Sequence, residues 1–466
     1  MSTARKHLHI SGICGTAMAA VAFLAKESGW KVSGSDAGVY PPMSDYLAAM
    51  GIEIAPFSEM NLTPRPDLTV IGNALSRGNP EVEMALAGGL LFTSGAQFVG
   101  DYVLPGRHAV VVAGTHGKTT TASLLAHVLE FAGRSPGFLI GGIPEDFGGG
   151  ARLGSGAEFV LEGDEYDTAF FDKRSKFLHY HAKTLILNNL EFDHADIFAN
   201  LDAIKLQFSY LLRTVPENGH IIVNADDENL ADVLARGCWT PLISFAKRGH
   251  ASAAWQWQAD AADGTAFRLF HNGEEVMSCT WGMIGVHHIA NACAVAAAAN
   301  SLGVEADVIA QAFASFSGIR RRMSLVGEAR GMRIFDDFAH HPTAIGGVVD
   351  AAKAAMRGKG RLWVIVEPRS NTMRTRIHQH RLPDCFEAAD QVIFTPPSAR
   401  NLAAHEVLDM DAVCDAIGEK ARVLSDAAMI IAFVVAHAES GDDVLILSNG
   451  GFDDIHKRLL AALQAV

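Results

Sequence analysis

The chain has 466 residues, which is more than one ordinary hydrophobic core can organise, and this length predicts about three domains. Hydrophobic residues make up 49% and charged residues 19% of the sequence, a composition that excludes an intrinsically disordered chain. The net charge of −14 argues against nucleic-acid binding but not against nucleotides, which need only backbone N–H groups and a few local cations.

The N-terminal stretch has two alternative interpretations. Arg5 and Lys6 precede a mostly apolar stretch, as in a signal peptide, but Gly12 and Gly15 interrupt it and favour a strand, a turn and a helix. No run of about 18 uninterrupted apolar residues occurs, so we expect no transmembrane helix and no membrane partner. The six scattered cysteines contain no C-x-x-C pair, which indicates neither a zinc site nor a redox pair and favours a cytoplasmic protein.

The first segment, 1–106, alternates predicted strands and helices. HLHISG is a strand, 16–28 a helix and KVSGSD a second strand that ends at Asp36; LTVIGNAL and LLFTSG are further strands. The segment closes at Pro105 and Gly106, which are typical of a boundary. Its turn GICGTAM is G-x-x-G rather than G-x-G-x-x-G, which is weak evidence for a dinucleotide but could seat a diphosphate.

The second segment, 107–322, opens with a strand that stops at Gly114, a short polar turn and a helical pattern. Gly117 allows backbone N–H groups to converge on an anion, Lys118 supplies a point charge, and Thr119 supplies a hydroxyl for Mg²⁺. The turn lacks the first glycine of G-x-x-x-x-G-K-[ST], since Val112 stands there. A polar turn without a ligand is the alternative; we favour a phosphate site.

Two acidic clusters follow strands of this segment. They are LEGDEYD, with Glu162, Asp164, Glu165 and Asp167, and NNLEFDHADIF, with Glu191, Asp193, His194 and Asp196. Carboxylate oxygens suit Mg²⁺. Solvated loops and a histidine that only pairs with acids are the alternatives, but two such strand ends beside a phosphate turn favour a magnesium-dependent ATPase.

The rest of the second segment combines a small β region with a helix. AAWQWQAD and AFRLFHNGEEVMSCTWGM are β stretches, the second with a turn at Asn272–Gly273. His287, His288 and Asn291 lie near the start of the next helix, where simple capping is the alternative to ligand binding. Three arginines in FSGIRRRM form either a solvated charge run or a group that stabilises a transferring phosphoryl.

The third segment, 323–466, again has strands with polar ends, among them MRIFDDFAHHP, RLWVIVEPRS, QVIFTPPS and DDVLILSNGG. The arginine-rich loop VEPRSNTMRTR suits a ligand rich in carboxylates, because arginine binds carboxylate in a bidentate manner; an unliganded surface loop is the alternative. Strands that alternate with helices predict an α/β fold with mostly parallel sheets and ligands at the carboxyl ends of the strands.

Together these motifs resemble those of the Mur ligase family of cell-wall synthesis. GTHGKTT, LEGDEYD, NNLEFDHAD, FSGIRRRM and DDFAHHPT occur in the family's order, and GICGTAM resembles its N-terminal UDP-binding turn. The resemblance implies a Rossmann-like UDP-binding domain, a central P-loop ATPase domain and a Rossmann-like C-terminal domain that closes on ATP and binds the peptide. The implied cofactors are ATP and Mg²⁺.

The implied activity is an ATP-dependent acid–amino-acid ligase that acts through an acyl phosphate in peptidoglycan synthesis. FFDKRSKF, NNLEFDHADIF and EPRSNTM favour the branch that joins UDP-N-acetylmuramate to the tripeptide L-alanyl-γ-D-glutamyl-meso-diaminopimelate in murein recycling. The alanine-adding branch is the alternative. A P-loop nucleotide switch is an alternative of another class, and the expected assembly is a monomer or weak homodimer.

The resemblance also assigns residues. The catalytic residues would be Lys118, Glu162, His194 and Arg322, and the Mg²⁺ ligands Thr119, Glu162 and His194. ATP would contact Gly114, Thr115, His116, Gly117, Lys118, Thr119, Thr120, His287, Asn291, Arg321, Arg322, Asp336, Asp337 and His340. The UDP part of the substrate would contact Gly12, Ile13, Gly15, Thr16, Met18, Ser35 and Asp36, and the peptide Arg369, Ser370, Asn371, Thr372 and Arg374.

Two departures from the family pattern concern single residues. The family often has asparagine where His288 stands, and many members carry a carbamoylated lysine after the metal-binding histidine. The corresponding region here offers Lys205 and Ser209, and no modified lysine is predicted.

Overall fold

Three open β-sheets follow one another along the chain, each with helices between its strands. The computed structural model describes residues 5–39, 43–356, 358 and 360–465. Within these ranges, no helix is both long and apolar enough to cross a bilayer. The strand–helix alternation predicted an α/β fold with mostly parallel sheets, and this prediction is confirmed.

The first sheet has five parallel strands in the order β3-β2-β1-β4-β5. Its strands are β1 (His7–Ser11), β2 (Lys31–Ser35), β3 (Ile54–Ala55), β4 (Leu68–Ile71) and β5 (Phe92–Ser94). Its helices are α1 (Thr16–Glu27), α2 (Met43–Ala49), α3 (Pro80–Ala87) and α4 (Gly95–Phe98).

The central sheet has ten strands in the order β17-β16-β15-β14-β13-β12-β6-β9-β7-β8. The strands of this segment are β6 (His108–Ala113), β7 (Gly137–Leu139), β8 (Ala151–Arg152), β9 (Glu158–Gly163), β10 (Asp167–Ala169), β11 (Asp172–Ser175), β12 (Thr184–Leu187), β13 (His220–Asn224), β14 (Leu242–Lys247), β15 (Trp255–Ala259), β16 (Ala266–His271) and β17 (Glu274–Thr280). The helices are α5 (Lys118–Phe131), α6 (Leu201–Leu212), α7 (Glu228–Ala235), α8 (Val286–Ser301) and α9 (Ala306–Ser315). β10 and β11 form a separate hairpin.

The third sheet has six strands in the order β18-β19-β23-β20-β21-β22, and its edge strand β18 is antiparallel to β19. The strands are β18 (Ser324–Ala329), β19 (Met332–Asp337), β20 (Leu362–Val366), β21 (Gln391–Phe394), β22 (Ala421–Val423) and β23 (Asp443–Leu447). The helices are α10 (Pro342–Ala354), α11 (Met410–Ile417), α12 (Ala427–His437) and α13 (Ile455–Gln464). The domain limits drawn at residues 106 and 322 stay a prediction.

The alternation of side chains in β6 divides the core of the central domain between two faces. Val110 and Val112 pack on the side of α5, α8 and α9, whereas Val111 faces the side that continues into the first domain. Successive strand residues point to opposite faces, so an unbroken apolar run is expected where both faces are covered. The strand that precedes the phosphate turn is therefore covered by apolar packing on both faces.

The small β region predicted around the tryptophans belongs to the central sheet itself. β15 pairs with β14 in parallel, and β16 and β17 continue the sheet as an antiparallel meander. Trp255 and Trp257 are buried in the core that α8 and α9 cover. Burial of these large rings explains why the meander continues the sheet instead of folding apart from it.

A buried carboxylate ties α3 to the first sheet. The side chain of Glu81 accepts hydrogen bonds from Ser11 Oγ at 2.5 Å, Ser35 Oγ at 2.5 Å and Asn61 Nδ2 at 2.7 Å, and Glu81 is 1% exposed. Burial alone would raise the pKa of Glu81, but the hydrogen bonds from His9, Ser11 and the other donors lower it to about 2. The ionised form is therefore the one the fold stabilises.

We predict that Glu81→Gln lowers the free energy of unfolding by about 3 kcal/mol at neutral pH, because an amide cannot accept all of these hydrogen bonds. The folded pKa lies below the ordinary one, so this stabilisation is complete above about pH 4.5 and is lost as the pH falls towards 2. Urea unfolding at pH 7 and pH 3.5 measures the difference, which should shrink at the lower pH. The control is Glu83→Gln: Glu83 lies on the same helix as Glu81, and the substitution removes only its exposed ion pair with Arg77. Equal losses of stability in the two variants would contradict the prediction.

Candidate active site

The turn between β6 and α5 has the backbone of a phosphate cradle. β6 ends at Ala113 and α5 begins at Lys118, and both glycines of the turn have positive φ angles, +143° at Gly114 and +78° at Gly117. Gly117 is the N-cap of α5, and no described side chain caps this helix. The first N–H groups of a 14-residue helix are thus left for an anion, which the helix dipole also favours.

A neighbouring strand end holds the cradle in this shape. Asn189, just beyond β12, accepts hydrogen bonds from the backbone N–H of Thr115 at 3.2 Å and, through its side chain, from that of His116 at 2.7 Å. The backbone N–H of Glu191 donates to Thr115 Oγ1 at 2.8 Å. Because β12 and β6 are parallel neighbours, their ends lie at the same edge of the sheet.

Two further amides reach the cradle. Asn188 Nδ2 donates to Thr121 Oγ1 at 2.8 Å, and a Cβ atom placed on Gly117 would lie 2.6 Å from Asn291 Oδ1. Asn291 was among the residues predicted to bind ATP, whereas Asn188 and Asn189 were not. The signal for both was present, since two consecutive amides follow directly on the strand predicted to lie beside the phosphate turn.

Lys118 is held by an acid that the sequence analysis noted but did not assign to the site. Its Nζ lies 2.8 Å from Glu165 Oε2 and 2.7 Å from the carbonyl of Gly114. Burial would lower the pKa of Lys118, but Glu165 and Asp164 raise it, so the amine stays charged. Burial would raise the pKa of Asp164, but the nearby charges of Lys176 and Lys118 lower it to about 2.

His194 contacts the same carboxylate, that of Glu165. Its Nε2 is 3.0 Å from Glu165 Oε1. Burial would lower the pKa of His194, but the hydrogen bond and charge of Glu165 raise it above the usual value. The structure thus joins His194 to Lys118 through Glu165 and does not bring it against Glu162. Its assignment as a metal ligand stays a prediction.

The other two predicted magnesium ligands do meet. Thr119 Oγ1 donates to Glu162 Oε1 at 2.9 Å, and Glu162 Oε2 accepts from the backbone N–H of Gly141 at 2.7 Å. The Thr119 hydroxyl, in the first turn of α5, and the Glu162 carboxylate, on β9, are the hard oxygen donors that Mg²⁺ prefers. This donor set fits the ion that the sequence predicts.

The three arginines after Gly318 point in different directions. Arg322 Nη2 lies 3.3 Å from Thr119 Oγ1, so its guanidinium faces the cradle. Arg321 has a positive φ of +61° and bonds to Asp336 and to the carbonyl of Ser448, within the C-terminal domain. Arg320 forms an exposed pair with Glu145.

His287 and His288, at the start of α8, are neutral groups near Arg322. Burial, with the nearby charge of Arg322, lowers the pKa of His287 to about 4 and that of His288 well below its usual value. A Cβ atom on Gly347 of α10 would lie 3.5 Å from His287 Nδ1. His287 thus lies where the C-terminal domain packs on α8.

Asp336 and Asp337, at the end of β19, bind groups of the segment that joins the central and C-terminal domains. Asp337 is 3% exposed and accepts from the backbone N–H groups of Met323 and Ala339 at 2.7 Å each. Burial raises the pKa of Asp337 despite the nearby Arg322. Asp336 pairs with Arg321, and His340 faces the cavity described next.

A polar cavity of about 270 Å³ lies between the central and C-terminal domains. Its walls include Asp193, His194 and Asp196 on one side and His340, Arg369, Ser370, Asn371 and Thr372 on the other. The loop that follows β20 closes on the central domain, since Asn371 Nδ2 lies 2.8 Å from Asp196 Oδ2 and Thr372 Oγ1 lies 3.4 Å from the N–H of Ala195. Arg374 instead donates to the carbonyl of Arg400 at 2.8 Å.

The turn of the first domain is a second uncapped strand–helix junction. The N–H groups of Gly12 and Ile13 donate to the carbonyl of Ser35, and Cys14 N–H donates to Asp36 Oδ2 at 2.8 Å. α1 begins after Gly15, and the described residues provide no side-chain cap. Ile13 is fully buried and the Ser35 hydroxyl is bonded to Glu81, so neither side chain is free for a ligand in this structure, and their assignment to UDP stays a prediction.

A small cleft lies between the first and central domains. Met18 of α1 lines it together with Thr168, Lys176 and Tyr180 of the central domain. The predicted UDP turn, the cradle and the polar cavity are thus contributed by successive domains of one chain.

Three family models match successive parts of the chain. They are the Mur ligase family catalytic domain over 7–105, the Mur ligase middle domain over 112–299 and the Mur ligase glutamate ligase domain over 321–450. The chain belongs to the Mur ligase family. The resemblance drawn from the motifs is confirmed.

Curated Mur ligases match over nearly the full length of the chain. UDP-N-acetylmuramate–L-alanyl-γ-D-glutamyl-meso-2,6-diaminoheptandioate ligase of Escherichia coli (strain K12) is 45% identical, and 98% of each chain is covered. A UDP-N-acetylmuramate–L-alanine ligase of Rhizobium etli is 31% identical, with 95% of this chain and 94% of the relative covered.

A solved Mur ligase structure has the same fold. The murein peptide ligase of Psychrobacter arcticus is 42% identical, with a TM-score of 0.75 and 99% of each chain covered. The family and fold are therefore shown, while the roles of individual site residues rest on the geometry above.

We predict that Gly117→Ala raises the Kd of ATP at least about tenfold, because the new methyl group collides with Asn291 and the turn needs a positive φ. Gly133→Ala is the matched control. Gly133 lies just past the other end of α5 with a φ of +74°, and no described atom lies within 4 Å of its added Cβ. Isothermal titration calorimetry measures ATP binding, and thermal unfolding records the backbone strain common to both variants. Equal ATP affinities in the two variants would show that Asn291 does not shape the cradle.

Proposed function

We propose that the chain is an ATP-dependent ligase that joins UDP-N-acetylmuramate to the tripeptide L-alanyl-γ-D-glutamyl-meso-diaminopimelate in murein recycling. The observation that carries the proposal is the polar cavity beside the cradle, which presents both carboxylates and a guanidinium. A tripeptide with several carboxylates and ammonium groups matches such walls. Greater identity to the relative named for the tripeptide than to the relative named for alanine, 45% against 31%, supports this choice.

Binding of ATP begins at the cradle. Its β- and γ-phosphates would accept from the free N–H groups of α5 and from Lys118, which would exchange Glu165 for phosphate. Arg322, on the other side of Thr119, would contact the γ-phosphate. Thr119 and Glu162 would hold Mg²⁺, which when bound offsets phosphate charge.

The reaction first activates the muramate carboxylate. A carboxylate oxygen attacks the γ-phosphorus, the bond to the β–γ bridging oxygen breaks, and ADP leaves with that electron pair. The product is an acyl phosphate, whose phosphate is a far better leaving group than oxide. Lys118 and Arg322 would stabilise the charge on the transferring group, since Lys118 begins α5 and the Arg322 guanidinium lies 3.3 Å from Thr119 in its first turn.

Amide formation follows in the cavity. The neutral α-amino group of the peptide attacks the acyl carbon, and the tetrahedral intermediate expels phosphate together with one original carboxylate oxygen. Glu191 and Asp196 bind groups of the C-terminal domain and hold that domain against the cradle, which keeps water from the acyl phosphate. The amine must lose a proton, and the acids that line the cavity are the nearby acceptors.

The alternatives predict different behaviour. A nucleotide switch would hydrolyse ATP without regard to muramate and leaves the first-domain turn and the cavity without a role. An alanine-adding enzyme would need only one carboxylate contact. We place the tripeptide reaction in the cytoplasm, where ATP and UDP-linked sugars are found; a monomer or weak homodimer stays a prediction.

We predict that phosphate release requires ATP, UDP-N-acetylmuramate and amine together, and that kcat/KM for the tripeptide exceeds that for L-alanine at least about a hundredfold, as two added charge pairs would give. Coupled phosphate assays with each substrate omitted in turn measure both. With ¹⁸O in the lactyl carboxylate, label should appear in free phosphate. Release with ATP alone would favour a switch, and a preference for alanine would favour the alternative ligase.

We predict that Arg369→Ala raises the KM for the tripeptide about tenfold or more and leaves the KM for ATP unchanged, because Arg369 lines the cavity and not the cradle. Arg376→Ala is the control, since Arg376 bonds outside the cavity to Val407 and Asp409. Arg374→Ala, measured beside them, tests the assignment of Arg374 to the peptide. Equal rises in both KM values for Arg369→Ala would remove Arg369 from the peptide site.

A further inference from the structure

Three side chains meet where the C-terminal domain touches the cradle. They are His116 of the phosphate turn, Glu191 beyond β12 and His341, the N-cap of α10. One nitrogen or oxygen atom from each lies within 4.8 Å of the corresponding atoms of the other two. Two imidazoles and a carboxylate are thus brought together from three separate elements.

The Nε2 atom of His116 lacks a partner. It is buried and has no hydrogen bond within the described part of the chain, and Glu191 Oε1 lies 3.7 Å away, too far for a hydrogen bond. Two atoms bound tetrahedrally to one zinc ion at about 2.1 Å are about 3.4 Å apart. The observed separation therefore fits two ligands with room for an ion between them.

The second imidazole is weakly engaged. His341 Nε2 lies 3.3 Å from the carbonyl of Phe192, and its Nδ1 accepts from the N–H of Thr343 at 3.3 Å. Both distances are long for hydrogen bonds, so a metal at either nitrogen would displace only weak contacts. Burial lowers the pKa of His116 and of His341, so both rings are neutral, as ligation requires.

The carboxylate has one oxygen committed and one facing His116. Glu191 Oε2 accepts from Thr343 Oγ1 at 2.8 Å and from Arg381 at 3.2 Å, which fixes the group and leaves Oε1 towards the histidine. Metal-binding carboxylates are commonly oriented by such outer hydrogen bonds.

The surrounding charges permit a cation. A second carboxylate, that of Asp193, lies close enough to interact electrostatically with both His116 and His341. The two nearby cations are already paired, Lys118 with Glu165 and Arg381 with Glu191.

We propose that His116, Glu191 and His341 form a binding site for a divalent transition metal ion of the Zn²⁺ type, bridging the central and C-terminal domains. Imidazole nitrogen with one carboxylate selects such an ion over Mg²⁺, for which the Thr119–Glu162 oxygens are suited. A bound ion would tie the phosphate turn to α10 and hold the domains closed. It therefore slows turnovers that require the domains to open. The proposal does not rest on the ligase assignment.

The test measures Zn²⁺ binding to the chelator-stripped full chain by competition with a chromophoric chelator, without Mg²⁺ or ATP. We expect one equivalent to bind and to raise the Tm. His341→Asn and Glu191→Gln should each weaken binding at least about tenfold. Asparagine keeps an N-cap acceptor for α10, so loss in His341→Asn reports the ligand and not the helix.

Two controls locate the ion. His378→Asn alters a ring packed 4.6 Å from His341 that is not in the set, and Glu162→Gln alters the predicted magnesium site; both should bind Zn²⁺ as the unsubstituted chain does. Absence of a one-equivalent site would overturn the proposal. So would loss of binding in Glu162→Gln with retention in His341→Asn, which would place the ion at the magnesium ligands.

Discussion

The active site depends on the rigidity of the four-residue turn 114–117, which leads into a helix whose N-terminus no described side chain caps. A turn of this kind collapses onto nearby acceptors unless its neighbours hold it open. Asn189 accepts from the backbone N–H groups of Thr115 and His116, and Asn291 packs against Gly117. The parallel order β12-β6-β9 makes this possible, because it brings the ends of three strands to one edge.

The same edge concentrates acids that would repel one another without cations. Glu165 is satisfied by Lys118 and His194, and Asp164 by Lys176. In the proposed mechanism ATP would replace Glu165 as the partner of Lys118, which would conserve the charge balance of this buried site. Arg322 reaches this edge from the segment that leads into the C-terminal domain, so the position of that domain affects the charge around the cradle.

Several contacts between the central and C-terminal domains are polar. Glu191 holds Thr343 and Arg381, and Asp196 holds Asn371. Polar contacts of this kind can break and re-form during opening, whereas the apolar core that the first domain shares with the central sheet cannot open cheaply. The asymmetry suits a reaction in which one domain holds a substrate and another closes over the intermediate.

The sequence by itself determined the α/β class, the cradle, the order of the motifs and the family, because glycine turns, strand ends and short acidic motifs are local features of the chain. Only the tertiary structure decided which neighbouring candidate faces which partner. Arg322 rather than Arg321 faces Thr119, Glu165 rather than Glu162 holds His194, and Arg369 rather than Arg374 lines the cavity. Side chains a few residues apart in one motif point in different directions, and long-range packing decides which of them faces the site.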